Sequence, residues 1–337
     1  MSRRAAVALA SLVNALAGCS SPPAGAFFSE QSQAIQGGYP AAQDTFVVAV
    51  RGRFGTCSAT LLAPRLALTA RHCVASLIDA EGNGTSRMPC GASRFAPAEA
   101  PGGFAVATTA SLGDPGAAWR PVSRVFVGPS VEGCGNDVAL VAFDPDSGTV
   151  ASLAVPSFAD IRSIPATFSA IGYGLTRPYA QEPLTRHRRN NMQIACIGEA
   201  CATLTGAGTN TASEFVAREG ACLGDSGSGA FLMTNASPPR VFGVLSRSEV
   251  DAAGTTCIRD VYGALGEHRG WMTAAAIDEA TRLDEVPPAW ANPAFDSVNL
   301  AAGCALRPGR VSQSGQAWAA LVIAIGLFAR RMAQRRA

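Results

Sequence analysis

Strand-length apolar runs, each closed by a turn, recur along most of this 337-residue chain. Thr45–Val50, Ser58–Leu62, Leu66–Thr69, Val122–Val127, Asp137–Phe143, Ala166–Tyr173, Glu214–Ala217, Gly229–Met233 and Arg240–Leu245 are each four to eight residues long. Runs of that length between turn residues predict β-strands. Ala63-Pro64-Arg65 separates the second run from the third as a hairpin turn would. The 35 Gly and 21 Pro supply many turns, and 15% charged residues is low against the usual quarter. One segment has a different period: Gly270–Arg282, with Trp271, Ala275, Ile277 and Ala280 in partial helical spacing. Strands throughout and one closing helix predict an all-β fold of barrels rather than a parallel sheet.

Ten cysteines are present. Cys19 and Cys304 lie outside the strand-rich body and leave eight between Cys57 and Cys257, an even set that predicts a disulfide framework in an exported chain. Zinc would call for a tight Cys-x-x-Cys or a Cys/His cluster; with only His72, His187 and His268 available, none is formed, so no metal is expected. The formal net charge is +2 and every basic residue is Arg. No basic block interrupts the body, which argues against nucleic acid as a partner.

Both ends read as addresses. Residues 1–19 have a basic start (Arg3, Arg4), an apolar stretch from Ala5 to Leu16, and Leu16-Ala17-Gly18-Cys19 at the end. These are signal-peptide proportions. The last four residues resemble the bacterial lipoprotein signal box, which implies lipidation of Cys19; an ordinary signal peptide is the alternative. Residues 20–34 form a small, polar leader. Residues 285–303, with Pro287, Pro288 and Pro293, read as a linker. In residues 304–337, Cys304 precedes an apolar run, Ala317–Ala329, followed by Arg330, Arg331, Arg335 and Arg336. That order resembles C-terminal sorting tags of the MYXO-CTERM type and implies a sorting peptidase as a partner; a plain membrane anchor is the alternative. The run is short of the roughly twenty residues that span hydrocarbon comfortably. Membrane association through one or both termini, at the cell envelope or outer surface, is the expectation.

Three segments carry the chemistry. Thr69-Ala70-Arg71-His72-Cys73 holds a candidate base, and a bond from Cys73 to Cys57 would close the hairpin and fix the turn presenting His72. Asn136-Asp137-Val138-Ala139-Leu140 sets an acid at the mouth of an apolar strand, where a half-buried carboxylate needs a partner such as an imidazole N–H. An Asp that merely caps a turn would look the same. Cys222-Leu223-Gly224-Asp225-Ser226-Gly227-Ser228-Gly229 flanks a serine with glycines. Such a bend leaves the hydroxyl open and can aim the N–H groups of Gly224 and Ser226 one way, as an oxyanion hole requires. Alone, this run could be a Gly/Ser-rich surface loop.

Together these segments resemble the trypsin/chymotrypsin family. Ile35-Gln36-Gly37-Gly38 resembles the family's new N-terminus, Thr69–Cys73 its Thr-Ala-Ala-His-Cys box with Arg71 substituted, and Asn136–Leu140 its Asp-Ile-Ala-Leu strand. Gly172-Tyr173-Gly174 resembles Gly-Trp-Gly, Ser226 sits in Gly-Asp-Ser-Gly, and Val261-Tyr262 with the Trp271 helix resembles the family's ending. The likeness covers about residues 35–284, and His, Asp, Ser come in the family's order. It implies two antiparallel six-stranded β-barrels with a C-terminal helix, and a serine endopeptidase that needs no cofactor and cuts polypeptides. Ser226 would attack, His72 would carry the proton, Asp137 would hold His72, and Ser246 would support Asp137. The match implies Cys57–Cys73 and Cys222–Cys257; for Cys90, Cys134, Cys196 and Cys201, three pairings are open, of which Cys90–Cys134 with Cys196–Cys201 is our choice.

The chain also departs from the family. The resemblance implies that a freed Ile35 amine pairs with Asp225, yet Ala34 precedes Ile35, so the activating protease would not be trypsin-like. Gly220 stands where trypsin has its pocket Asp, Asp260 where the family has Gly on the facing wall, and Arg247 and Ser248 where an aromatic residue and Gly line the cleft. A broad or basic preference is expected, with Arg259 able to offset Asp260. A catalytically silent binding protein on the same fold is the competing function.

Overall fold

Among the described residues, closure into two separate rings leaves the ring strands paired on both sides. The structure, a computed structural model, describes residues 35–79, 82, 88–144, 152–175, 184–205, 210–218, 220–222, 224–234, 237–253, 256–292 and 295. The signal-like start, the leader and the C-terminal tag read from the sequence lie outside these residues. The chain divides into two compact units, the first ending at Glu267 and the second beginning at His268.

The first unit contains both barrels. Strands β1 (Val47–Gly52), β2 (Gly55–Ala63), β3 (Leu66–Thr69), β4 (Ala105–Ala107), β5 (Trp119–Val127) and β6 (Ala139–Phe143) close in the order β1-β2-β3-β6-β5-β4. Strands β7 (Thr167–Gly172), β8 (His187–Ile197), β9 (Glu214–Ala217), β10 (Gly229–Thr234), β11 (Ser237–Val250) and β12 (Cys257–Ala264) close in the order β7-β8-β9-β12-β11-β10. All pairings within both rings are antiparallel. The second ring repeats the strand order of the first. This is the chymotrypsin fold.

The cores differ. In the first barrel Val47, Val48, Ala49, Val50, Leu61, Leu68, Leu140 and Val141 are buried aliphatics. Burial of all five residues of β6 is that of a strand covered on both faces. The second barrel is built around rings. Phe168 meets Phe215, Phe242 and Tyr262 edge-on at 5.3–5.8 Å, and Phe215 stacks on Phe242 and Tyr262 at 5.4 and 5.1 Å. Such pairs add about 0.5–1.5 kcal/mol each beyond the area they bury.

The apolar runs miss three ring strands, β4, β8 and β12. Strand β8 opens His187-Arg188-Arg189-Asn190-Asn191 yet pairs on both sides, with β7 and β9. Just ahead of it, Arg186 is almost wholly buried: it donates to the carbonyls of Ala42 and Thr108 at 3.0 and 2.8 Å and to the Tyr173 hydroxyl at 2.7 Å. A guanidinium with its N–H groups placed this way can sit in an interior. The strand predicted to begin at Asp137 begins at Ala139, because the Asp137 side chain is spent elsewhere.

In the second unit, Arg269–Arg282 form the closing helix, and the short turn Ala289–Ala291, with Trp290 buried, packs along it. Among the described residues, no helix is long and apolar enough to cross a membrane.

Candidate active site

His72 lies in a single 3-10 turn, Arg71–Cys73, directly after β3. Two bonds fix this turn: the Cys57–Cys73 disulfide ties it back to β2, and the His72 amide donates to Asp137 Oδ1 at 2.8 Å. The imidazole Nδ1 meets Asp137 Oδ2 at 2.7 Å, and Ser246 Oγ donates to that same oxygen at 2.7 Å. Asp137 is buried, whereas the His72 side chain is 26% exposed. Burial pulls the His72 pKa down, but the Asp137 charge and hydrogen bond outweigh it, so the imidazole lies above its ordinary value. Burial pushes Asp137 up, but His72 and the bond from Ser246 outweigh that, and the carboxyl lies below its ordinary value. Arg71, which departs from the family's box, donates to the carbonyls of Gly128 and Ser130 and lies 4.9 Å from the Phe95 ring centre.

Ser246 reaches Asp137 through an irregularity. Leu245 pairs with Tyr262 and Arg247 with Val261, so Ser246 is the extra residue of a β-bulge between β11 and β12. Bulges re-aim a side chain in this way beside active sites. Arg247 forms a two-pronged ion pair with the fully buried Glu214, at 2.7 and 3.2 Å. Glu214 also accepts the amides of Gly135 and Thr211, at 3.0 and 2.9 Å. The carboxylate therefore joins the loop before Asp137 to the strand that carries Ser246. Sequence reading missed Glu214, because two of its three partners, Arg247 and Gly135, lie 33 and 79 residues away.

Ser226 sits in the turn Asp225–Ser228, closed by the Ser228 amide donating to the Asp225 carbonyl at 2.7 Å. Gly227 has φ +81, and a Cβ there would fall 2.3 Å from Ser58 O, 2.3 Å from Thr69 Oγ1 and 3.0 Å from Ala70 N. The Ser226 turn is thus pressed against the backbone that leads into His72, and no side chain fits between them. Among the described residues, the amides of Gly224 and Ser226 donate to no other group.

Asp225 is fully buried and accepts the amides of Gly174 and Cys222 at 2.8 and 3.0 Å. Burial pushes its pKa up to about 7; these bonds and one from the Ile35 backbone pull down, while the Asp260 charge pushes further up. Ile35 is itself fully buried, with φ of 51°. Left-handed backbone at a β-branched residue is strained, at a cost of about 1–3 kcal/mol.

Around the expected pocket, a Cβ on Gly220 would fall 2.4 Å from Met192 Sδ and 3.5 Å from Arg189 Cδ. Asp260 is fully buried and accepts the Ala221 amide at 2.8 Å. Arg259, the cation expected to offset it, pairs instead with Glu249 at 2.6 Å, because the two face each other across the β11–β12 ladder. Arg189 donates to the Gln36 carbonyl at 2.7 Å, and its charge reaches Tyr262. Burial and the charges of Asp260 and Asp225 hold the Tyr262 phenol well above its ordinary range, and Arg189 acts against them. Ser248, opposite Asp260 in that ladder, is half-buried.

Disulfides join Cys57–Cys73, Cys90–Cys134, Cys196–Cys201 and Cys222–Cys257. Such a set belongs to oxidising compartments. Cys57, His72 and Cys73 form one group of possible metal ligands, and Cys90, Cys134 and Glu214 another. In each, the two sulfurs are bonded to one another and offer no thiolate.

Comparison with known proteins agrees with the geometry. A family model described as Trypsin matches residues 35–266. Serine protease SP24D of Anopheles gambiae is 30% identical over 213 residues, which is 60% of this chain and 69% of that protein. The chain belongs to the trypsin family of serine proteases.

Proposed function

We propose that the chain is an exported serine endopeptidase that works through Ser226, His72 and Asp137. The observation that carries this reading is the continuous run Ser246–Asp137–His72, packed against a glycine-flanked serine turn. In the reaction, Ser226 Oγ attacks the peptide carbonyl while the neutral His72 takes its proton at Nε2. Asp137, ionised and bonded to Nδ1–H, fixes the ring and stabilises the imidazolium. The carbonyl oxygen gains charge and is met by the amides of Gly224 and Ser226. His72 then protonates the leaving amine, and water cleaves the acyl-enzyme by the same route in reverse.

Maturation is by a cut between Ala34 and Ile35. The strained Ile35 torsion supports this, because cutting the preceding bond abolishes φ at that residue. The freed amine then supplies the cation that the buried Asp225 needs to ionise comfortably. The activator is a protease that accepts Ala before the cut. N-terminal sequencing of active material should begin at Ile35; any other start sinks this scheme.

For specificity we propose a broad pocket. Asp260 facing the pocket would favour Arg or Lys, but it is fully buried and accepts the Ala221 amide, and Met192 backs the Gly220 position. Arg, Ala and Leu chromogenic substrates should be cut within about tenfold of one another, a spread of about 1.4 kcal/mol in transition-state binding; a much larger preference for Arg would instead assign Asp260 the dominant role. The peptidase domain is residues 35–284. A signal peptide over 1–19 with Cys19 as lipidation site, and a tag from Cys304 read by a sorting peptidase, would hold the enzyme at the envelope or release it there.

The deciding experiment is labelling of matured protein with a fluorophosphonate. Labelling abolished by Ser226→Ala establishes the nucleophile. Properly processed protein that takes no label is instead the silent binding protein on the same fold.

A further inference from the structure

The turn carrying Ser226 is held from behind by one residue of the other barrel, Ser58 in β2. Ser58 is fully buried, and all of its polar atoms are engaged there. Its amide donates to the Ser226 carbonyl at 2.8 Å. Its hydroxyl donates to the Gly224 carbonyl at 3.3 Å and accepts the Tyr173 amide at 2.9 Å. Its carbonyl accepts the Thr69 hydroxyl at 2.8 Å, three residues before His72.

These contacts bracket a particular peptide group. The Gly224 carbonyl belongs to the peptide before Asp225, and the Ser226 carbonyl to the peptide after Ser226. Between them lies the Asp225–Ser226 peptide, whose N–H is one of the two proposed oxyanion donors. That peptide's own carbonyl is held by the Ser228 amide at 2.7 Å, and both neighbouring peptides are tied to Ser58. The hydroxyl also links this turn to Tyr173–Gly174, and the Gly174 amide in turn holds Asp225. Removing the hydroxyl leaves the Tyr173 amide and the Gly224 carbonyl without these partners, and a buried group so stripped moves to find another.

We propose that Ser58 is a positioning residue for the oxyanion hole, its hydroxyl locking the Asp225–Ser226 peptide with its N–H toward the developing charge. The proposal rests on the triad reading above. Oxyanion donors act only when aimed in advance at the transition state. The effect of Ser58 therefore falls on the chemical step and not on substrate binding.

The test uses full-length enzyme matured at Ile35, with activity counted per site titrated by a fluorophosphonate. Ser58→Ala should lower kcat at least about tenfold, less than the loss of a whole oxyanion donor, with KM within about twofold. The inhibition constant of a peptide aldehyde, whose adduct with Ser226 carries the oxyanion, should rise by the same factor as kcat falls. Ser58→Thr keeps the hydroxyl and should stay within about threefold of the parent. Ser58→Cys, close in size but a much weaker acceptor, repeats the comparison if alanine leaves too little folded enzyme. The proposal is overturned if either deletion variant keeps its kcat per titrated site, or loses substrate and aldehyde affinity equally. Parent enzyme that takes no label at Ser226 is a separate result and defeats the triad reading itself.

Discussion

The two barrels share one ring order and divide the work unequally. The first is aliphatic inside and contributes the turn with His72 and the acid Asp137. The second has an aromatic core and holds three fully buried carboxylates, Glu214, Asp225 and Asp260, each taken up by backbone amides or an arginine. The same topology thus supports two interiors: a mainly aliphatic one with Asp137 held by His72 and Ser246, and an aromatic one with three buried carboxylates, each held by its own partners. The first barrel presents His72, the proposed base, and the second carries the Ser226 turn that it would serve.

The largest expected effect tests whether the first barrel's acid is irreplaceable. Asp137→Asn should lower kcat about 10⁴-fold by favouring the wrong imidazole tautomer. Because Asp137 raises the His72 pKa, the parent's rate should climb with pH through a midpoint above the ordinary 6.5, where the base becomes neutral. In the variant that midpoint should move down. A midpoint unchanged by the substitution would separate Asp137 from His72 function.

Next comes the pH dependence of the second barrel. In the uncut chain, Asp225 titrates near 7 when folded and near 3.8 when unfolded, so its contribution to stability is complete below about 4 and lost as pH rises through 7. That loss is of the order of 4 kcal/mol by linkage. Unfolding free energies from urea titrations of the uncut parent and of uncut Asp225→Asn, followed from pH 4 to 8, should diverge by about that amount; parallel curves would mean an ordinary carboxyl. Cutting before Ile35 should abolish the divergence.

Core substitutions sharpen the contrast at a similar or smaller scale. Phe168→Ala, at the centre of the ring cluster, should cost about 3–5 kcal/mol, against roughly 2 for Val48→Ala in the aliphatic barrel. Equal losses in thermal or urea unfolding would argue that the rings add only area. Arg247→Met leaves Glu214 buried with its backbone donors alone and should cost about 3 kcal/mol. Adding Glu214→Leu should recover part of that. The smallest effect is Ser246→Ala, expected to lower kcat about tenfold and to shift the His72 midpoint slightly.

How much was legible follows the same division. The aliphatic strands announce themselves: Leu66–Thr69 was read with its observed bounds and Ala139–Phe143 to within two residues. Cys57–Cys73, Cys222–Cys257 and the grouping of His72, Asp137 and Ser246 came from the family resemblance, since 16 to 109 residues separate these partners; Cys90–Cys134 with Cys196–Cys201 was one choice among three open pairings. What escaped depends on distant partners. Strand β8 hides behind Arg188, Arg189, Asn190 and Asn191, which suit a strand only once both flanking strands exist. Arg259 was weighed as the counter-charge to Asp260 because it is adjacent in sequence, whereas alternation along a strand sends neighbours to opposite faces. Ser58 looked like one more residue of an apolar run, since nothing nearby shows that 115 and 166 residues later two turns will need its hydroxyl.

The tightness at Gly227 has a further consequence. Because a Cβ on Gly227 would lie only 2.3 Å from the Thr69 hydroxyl, the join between the barrels works as a feeler gauge. Any influence that alters their spacing by a fraction of an ångström changes the catalytic alignment while each barrel keeps its own hydrogen bonds.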